Sequence, residues 1–133
     1  MEEKIKKYLG VDWGEKRIGL ALGDSLLKIA TPFKTVGDPA RLLEVVEEEG
    51  IDILVVGKPL KLLEEEGASR NKKFSDFLEG LKKKAPIKIE LVDERLTSKA
   101  ADSLKRAAGS YKGAASRDEI AAMIILQNYF DNL

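Results

Sequence analysis

Four acidic residues stand where acids are unusual. Asp12 lies inside Leu9-Gly10-Val11-Asp12-Trp13, an alternating run that reads as a strand, with apolar neighbours on both sides. Asp93 and Glu94 close a second alternating run that begins at Ile87. Asp118 falls in the first turn of a helix whose start is marked by the capping-box sequence Ser116-Arg117-Asp118-Glu119. A carboxylate taken out of water needs a partner, a metal or an ordered water. Carboxylates gathered at one point repel each other and raise each other's pKa, and divalent cations reverse that. Oxygen donors suit magnesium or manganese. Two such ions about 3.5–4 Å apart activate water and stabilise the leaving oxygen in phosphodiester cleavage. The chain has no histidine and no cysteine. Imidazole bases, thiolate nucleophiles and disulfides are therefore excluded, and a metal-bound water is the nucleophile that fits. Each acid also has a plainer use. Asp12 would serve as a turn acceptor, Glu94 as a surface partner of Arg95 or Lys99, and Asp118 as a helix-start residue favoured by the helix dipole.

These acids need elements that bring strand ends together. Tyr8 to Asp24 reads as two strands joined by Gly14-Glu15-Lys16-Arg17, where glycine permits a positive φ. Lys28 to Val36 reads as a third strand, with Pro32 marking an edge or a bulge. Asp38-Pro39 starts a helix that carries Leu42, Leu43, Val45 and Val46 and ends at Gly50. Ile51 to Val56 has the look of a strand buried on both faces. Leu60 to Ser69 fits a loop or a helical turn. Phe74, Phe77, Leu78 and Leu81 predict a helix over 68–84, stopped by Pro86. The strand Ile87 to Val92 follows. A helix then runs from Thr97 or Ser98 to about Gly109, a loop from Gly109 to Ala115, and a last helix from Ser116 through Tyr129. The order β-β-β-α-β-α-β-α-α predicts an α/β fold over 1–133 as one domain. Its sheet is mixed and five-stranded: three antiparallel strands, then βαβ units, with helices on both faces and right-handed crossovers. Open sheets of this kind take ligands beyond the strand ends.

Composition narrows the partners. Charged residues make up 35% of the 133, yet 23 basic and 23 acidic side chains cancel. An all-over basic nucleic-acid binder is excluded, so any nucleic-acid contact must be local. The Arg95 to Arg117 segment supplies one: Arg95, Lys99, Lys105, Arg106, Lys112 and Arg117 face a single acid, Asp102. Its cations suit phosphates and Tyr111 suits stacking on an unpaired base; a solvated helix face is the alternative. The N-terminus has no apolar signal-like run, and the longest apolar stretch, Ile120 to Leu126, falls far short of the ~20 residues of a membrane span. A cytoplasmic protein is expected.

Four motifs, in order along nearly the whole chain, resemble one family. They are VDWGEKRIGLALGD from Val11, VVGKPL from Val55, VDERLTS from Val92 and RDEIAAMIILQNYFDN from Arg117. Together they resemble the YqgF/RuvX family, described both as pre-16S ribosomal RNA nucleases and as Holliday-junction resolvases. The resemblance implies a ribonuclease H-like fold and a hydrolase, a Mg2+- or Mn2+-dependent endonuclease. It places Asp12, Glu94 and Asp118 as catalytic and metal-binding residues, with Asp93 a neighbour whose part is open. Gly14, Lys16 and Arg17 match the turn of the first motif. Lys16 and Arg17 join Arg95, Lys99, Lys105, Arg106, Tyr111 and Lys112 as the expected nucleic-acid contacts. The implied substrate is the 5′ end of a ribosomal RNA precursor, with branched DNA as the alternative. A non-catalytic nucleic-acid-binding module is a further reading, and the oligomer is a monomer or a homodimer. An Asp-x-Gly hairpin also resembles the first phosphate loop of actin-like ATPases, but those need two such domains. Lys61 to Gly67 departs from the family's pattern and keeps only Glu66 and Gly67 of it.

Overall fold

Alternation in the first quarter of the chain builds a meander. The computed structural model describes residues 4–58, 65–93 and 115–133, the side chains of 65–71 excepted. Lys7–Trp13 (β1) and Ile18–Asp24 (β2) pair antiparallel, from Lys7 opposite Asp24 to Trp13 opposite Ile18. Thr31–Val36 (β3) pairs antiparallel with β2, and the register shifts between Leu20 and Ala21, opposite Lys34 and Pro32. Pro32 has no N–H to donate, so it sits on an edge strand and at an irregularity at once. β3 starts at Thr31 rather than Lys28. Asp24 Oδ1 accepts from the N–H groups of Leu26 and Leu27, and Lys28 takes a φ of 54°, so the intervening residues form a turn.

Pro39–Glu49 (α1) opens and closes as its ends predict. Asp38 Oδ1 accepts from Arg41 N–H at 2.8 Å, and Gly50 adopts the left-handed region at φ 64°. Ile53–Lys58 (β4) begins two residues later than the apolar run. Ile51 N–H donates to Val46 and Asp52 N–H to Lys7, so these residues finish the helix and reach β1 before the ladder starts. Glu65–Lys84 (α2) opens three residues before Ala68; glutamate is a good helix former, and part of the glutamate run belongs to the helix. Lys88–Asp93 (β5) and Arg117–Asp131 (α3) complete the described elements. The helix expected from Thr97 or Ser98 to Gly109, and the following loop through residue 114, lie outside the described residues.

β1 pairs parallel with β4, and β4 parallel with β5, so the sheet runs β3-β2-β1-β4-β5. This is the mixed five-stranded sheet of the expected fold class. The hairpin, α1 and the parallel crossover put the carboxyl ends of β1, β4 and β5 on one edge of the sheet.

Successive strand residues point to opposite faces, and the two faces are filled differently. Leu9, Val11, Trp13, Leu20, Leu54 and Val56 meet α1 and α2 through Leu42, Val45, Phe74, Phe77 and Leu81. Trp13 packs edge-on against Phe74, centroids 5.5 Å apart. On the other face Tyr8, Ala21, Val55 and Val92 meet α3 through Ala122, Ile125, Leu126 and Phe130. β4 is buried on both sides, as its continuous apolar run predicts.

Candidate active site

Asp12 is the second-last residue of β1 and, by alternation with Leu9, Val11 and Trp13, belongs to the face that carries α3. It is half-buried. Its partner across the hairpin is Gly19, and the partner of Gly19 on the next strand is Thr35. Thr35, Gly19 and Asp12 therefore form a row across three strands on one face.

The first turn of α3 lies on that row. A β-carbon added to Gly19 would stand 2.0 Å from the carbonyl oxygen of Asp118 and 2.8 Å from its β-carbon. The helix backbone thus rests on the strand backbone at the residue facing Asp12. One turn further, a β-carbon on Gly10 would come within 2.7 Å of both the Ala122 carbonyl and the Leu126 side chain. Only glycine leaves room for such an approach. Ala122, fully buried, is the small helix residue at this contact.

The start of α3 is also fixed in rotation. Ser116 and Glu119 form a reciprocal capping box, placing Asp118 at the second helical position. Thr35 Oγ1 donates to Glu119 Oε2 at 2.8 Å and lies 3.1 Å from Ser116 Oγ. At the far end, Gln127 Oε1 accepts from Ala30 N–H at 2.9 Å, and its Nε2 donates to the Lys28 carbonyl at 3.1 Å. Both ends of α3 are tied to the meander, and Asp118 is carried to the corner where Asp12 stands.

The β1–β2 turn closes that corner. Gly14, Glu15, Lys16, Arg17 and Asp118 line an open cleft of ≈ 350 Å³. Arg17 Nε lies 3.2 Å from Asp118 Oδ2, while Glu15 Oε2 lies 3.4 Å from Lys73 Nζ. Gly14 does not use the positive φ that its place in the turn suggested; among the described glycines only Gly50 does. Its need is steric: a β-carbon there would sit 2.7 Å from the Arg17 carbonyl.

Of the expected site, Lys16, Arg17 and Asp118 line one cleft, and Asp12 stands opposite Gly19, the residue on which the Asp118 backbone rests. Glu94, Arg95, Lys99, Lys105, Arg106, Tyr111 and Lys112 lie outside the described residues, as do residues 61–64 of the divergent stretch. Asp93 shares its side of β5 with Ile89, which packs towards α1 and α2, whereas Val92 shares the face of Asp12. Asp93 therefore projects to the opposite side of the sheet from Asp12. Among the described residues no three acidic side chains form a metal-sized cluster. The donors at the corner are carboxylate oxygens in a chain without imidazole or thiolate, and that chemistry fits a hard divalent cation.

Sequence reading missed the residues that set this geometry: Gly10, Gly19, Thr35 and Gln127. A signal existed. Gly10, Gly19, Ala21 and Gly23 leave the part of one hairpin face between Tyr8 and Asp12 nearly bare of side chains, as a closely packed helix requires.

The family model described as RuvX, Holliday junction resolvase, matches residues 6–132. A protein of Methylobacillus flagellatus bearing the name "Putative pre-16S rRNA nuclease" is 41% identical over 135 residues, covering 94% of this chain and 90% of its own. Proteins of the same name from Chloroflexus aurantiacus and Endomicrobium trichonymphae are 37% and 32% identical, covering 92% and 96% of this chain and 85% and 96% of theirs. Thermus thermophilus RuvC, solved with a Holliday junction substrate, superposes with a TM-score of 0.68 at 15% identity, covering 96% of this chain and 94% of that one. The Fowlpox virus resolvase, solved with Holliday junction DNA, gives 0.59 at 12% identity, covering 95% and 97%. At these identities the likeness is one of fold, and the fold is the ribonuclease H-like one expected. With relatives above 30% identity and a family match from residue 6 to residue 132, the chain belongs to the RuvX family.

Proposed function

We propose that the chain is a divalent-metal-dependent endonuclease that hydrolyses phosphodiester bonds, with Asp12, Asp118 and Glu94 as its cation ligands. The observation that carries this reading is the seating of Asp118 over Gly19, directly across the hairpin from Asp12. Two carboxylates more than a hundred residues apart in sequence are thereby held at one corner by backbone contact. Glu94 is assigned as the third ligand from its motif and from its place directly after β5. Bound there, Mg2+ or Mn2+ supplies an activated water and neutralises charge at the scissile phosphate.

The chain's own residues do the positioning. Asp12 and Asp118 present oxygen donors from rigid elements, and the first-turn place of Asp118 adds the field of the helix N-terminus. Lys16 and Arg17 extend the corner along the β1–β2 turn, where they meet the phosphates on either side of the cut. Arg95, Lys99, Lys105, Arg106, Tyr111 and Lys112 belong to the segment that joins Glu94 to α3, and are assigned to strand binding and base stacking. Local basic groups of this kind reconcile nucleic-acid binding with a net charge of zero.

The substrate proposed is the precursor of 16S ribosomal RNA, after the relatives' name, in the cytoplasm; no described helix is long and apolar enough to cross a membrane. The family's description and the junction-bound fold neighbours favour branched DNA as the second reading. The test compares the parent with Asp12→Asn on a precursor RNA and on a four-way DNA junction, with Mg2+, Mn2+ and EDTA. Cleavage that needs the metal and vanishes in Asp12→Asn, with unchanged thermal unfolding, is expected. Cleavage retained by the variant would remove this site, and binding of both substrates without turnover would favour the non-catalytic module.

A further inference from the structure

The Arg17–Asp118 contact places a cation on a proposed metal ligand. Arg17 reaches Asp118 through Nε, and its side chain is 72% exposed against 31% for Asp118. A pair this exposed is weak, so it holds the arginine without locking it. Both residues line the same open cleft, and the neighbouring acid there, Glu15, lies close to Lys73 instead.

We propose that Arg17 is the counterion of Asp118 in the cation-free protein and that it yields this carboxylate when a divalent ion binds. This rests on the assignment of Asp118 as a cation ligand. In the cation-free state Arg17 offsets the charge that Asp118 brings to the cleft they share. Once displaced, its guanidinium remains tethered beside the same corner with its donors free, within reach of a phosphate oxygen. One residue then serves two anions in turn, the carboxylate first and the phosphate second. Linkage makes the relation reciprocal: an ion that takes Asp118 raises the affinity of Arg17 for phosphate, and phosphate on Arg17 raises the affinity for the ion.

Manganese binding without nucleic acid tests this independently of activity. Calorimetric or electron-spin-resonance titrations with Mn2+ would compare the parent with Arg17→Gln, Arg17→Lys and Asp118→Asn. Removing the competing charge in Arg17→Gln should tighten Mn2+ binding by up to about fivefold, the factor that corresponds to an exposed pair of about 1 kcal/mol. Arg17→Lys, which keeps the charge but not the planar reach, should fall between. Asp118→Asn should lose most of the affinity. Unchanged or weaker Mn2+ binding in Arg17→Gln, with Asp118→Asn impaired, overturns the handover and leaves the metal site standing. Undiminished binding in Asp118→Asn overturns both. Arg17 is too exposed for its loss to unfold the chain, and matched thermal unfolding checks that point.

Discussion

Replacing Gly19 with alanine should damage stability and site together. The added β-carbon would lie 2.0 Å from the Asp118 carbonyl oxygen and 2.3 Å from its carbonyl carbon. Both are backbone atoms, so no side chain can rotate away. Real β-carbons do not approach other heavy atoms closer than 3.0 Å, so β2 and the first turn of α3 must separate by about 1 Å. Thr35 and the capping box resist that movement, because Glu119 and Ser116 hold the turn to β3. Overpacking of this kind costs about 1–3 kcal/mol, and a clash between two backbones belongs at the upper end. For a chain of this size that lowers the melting temperature by roughly 10 °C. The same 1 Å moves Asp118 relative to Asp12, and if the proposed roles hold, a displacement of that size costs on the order of a hundredfold in rate. Denaturant unfolding, Mn2+ titration and a cleavage assay would be read side by side. Gly37→Ala is the control: its added β-carbon meets nothing within 4 Å, so its stability should stay within about 0.5 kcal/mol. A Gly19→Ala protein as stable as the control, with unaltered Mn2+ affinity, would refute the claim that close backbone packing sets the acid pair.

Three further changes probe the same scaffold. Thr35→Val removes the hydroxyl that donates to Glu119 and should cost about 1 kcal/mol in denaturant unfolding, with weaker Mn2+ binding as the helix start loosens. Gln127→Ala strips the buried Ala30 N–H of its acceptor and frees the Lys28 carbonyl. It should cost about 1–3 kcal/mol, and hydrogen exchange should accelerate at Ala30 before it does in β1. Gly80→Ala acts in the opposite sense: Gly80 lies within α2 in open space, so alanine should stabilise by about 0.5–1 kcal/mol in thermal unfolding.

The strand and helix succession was legible because its signals are local. Alternation in β1 and β2, Asp38-Pro39 and Gly50 around α1, and the Ser116–Glu119 box each act within a few residues. Asp12 could be picked out because a carboxylate in an apolar strand is locally anomalous. The boundaries that moved did so for tertiary reasons. Ile51 and Asp52 are drawn off by hydrogen bonds to Val46 and Lys7, and residues 25–27 are turned by the Asp24 carboxylate. The role of Gly14 was misread because a turn glycine suggests a dihedral requirement, and here the requirement is contact with the Arg17 carbonyl. Gln127 looked like one residue of a motif. Its partners, Ala30 and Lys28, are 97 and 99 positions away, and no spacing rule reaches that far.

The two faces of the sheet solve different problems. Against α1 and α2 the filling is side chain on side chain, with Trp13, Phe74 and Phe77 among the contacts. Such a core adjusts to changes of shape by repacking, and losses are graded. Against α3, Gly19 meets the Asp118 backbone and Gly10 meets the Ala122 carbonyl and the Leu126 β-carbon, atoms that cannot rotate away. That surface cannot adjust, so it transmits position faithfully from the sheet to the helix start. Asp12 and Asp118, the proposed cation ligands, lie on the face with the glycine contacts, and the larger of the two hydrophobic clusters lies on the forgiving one. Precision at the corner therefore comes from the absence of side chains at the contact. The chain uses glycine there to fix a distance, the opposite of its usual use as a source of freedom.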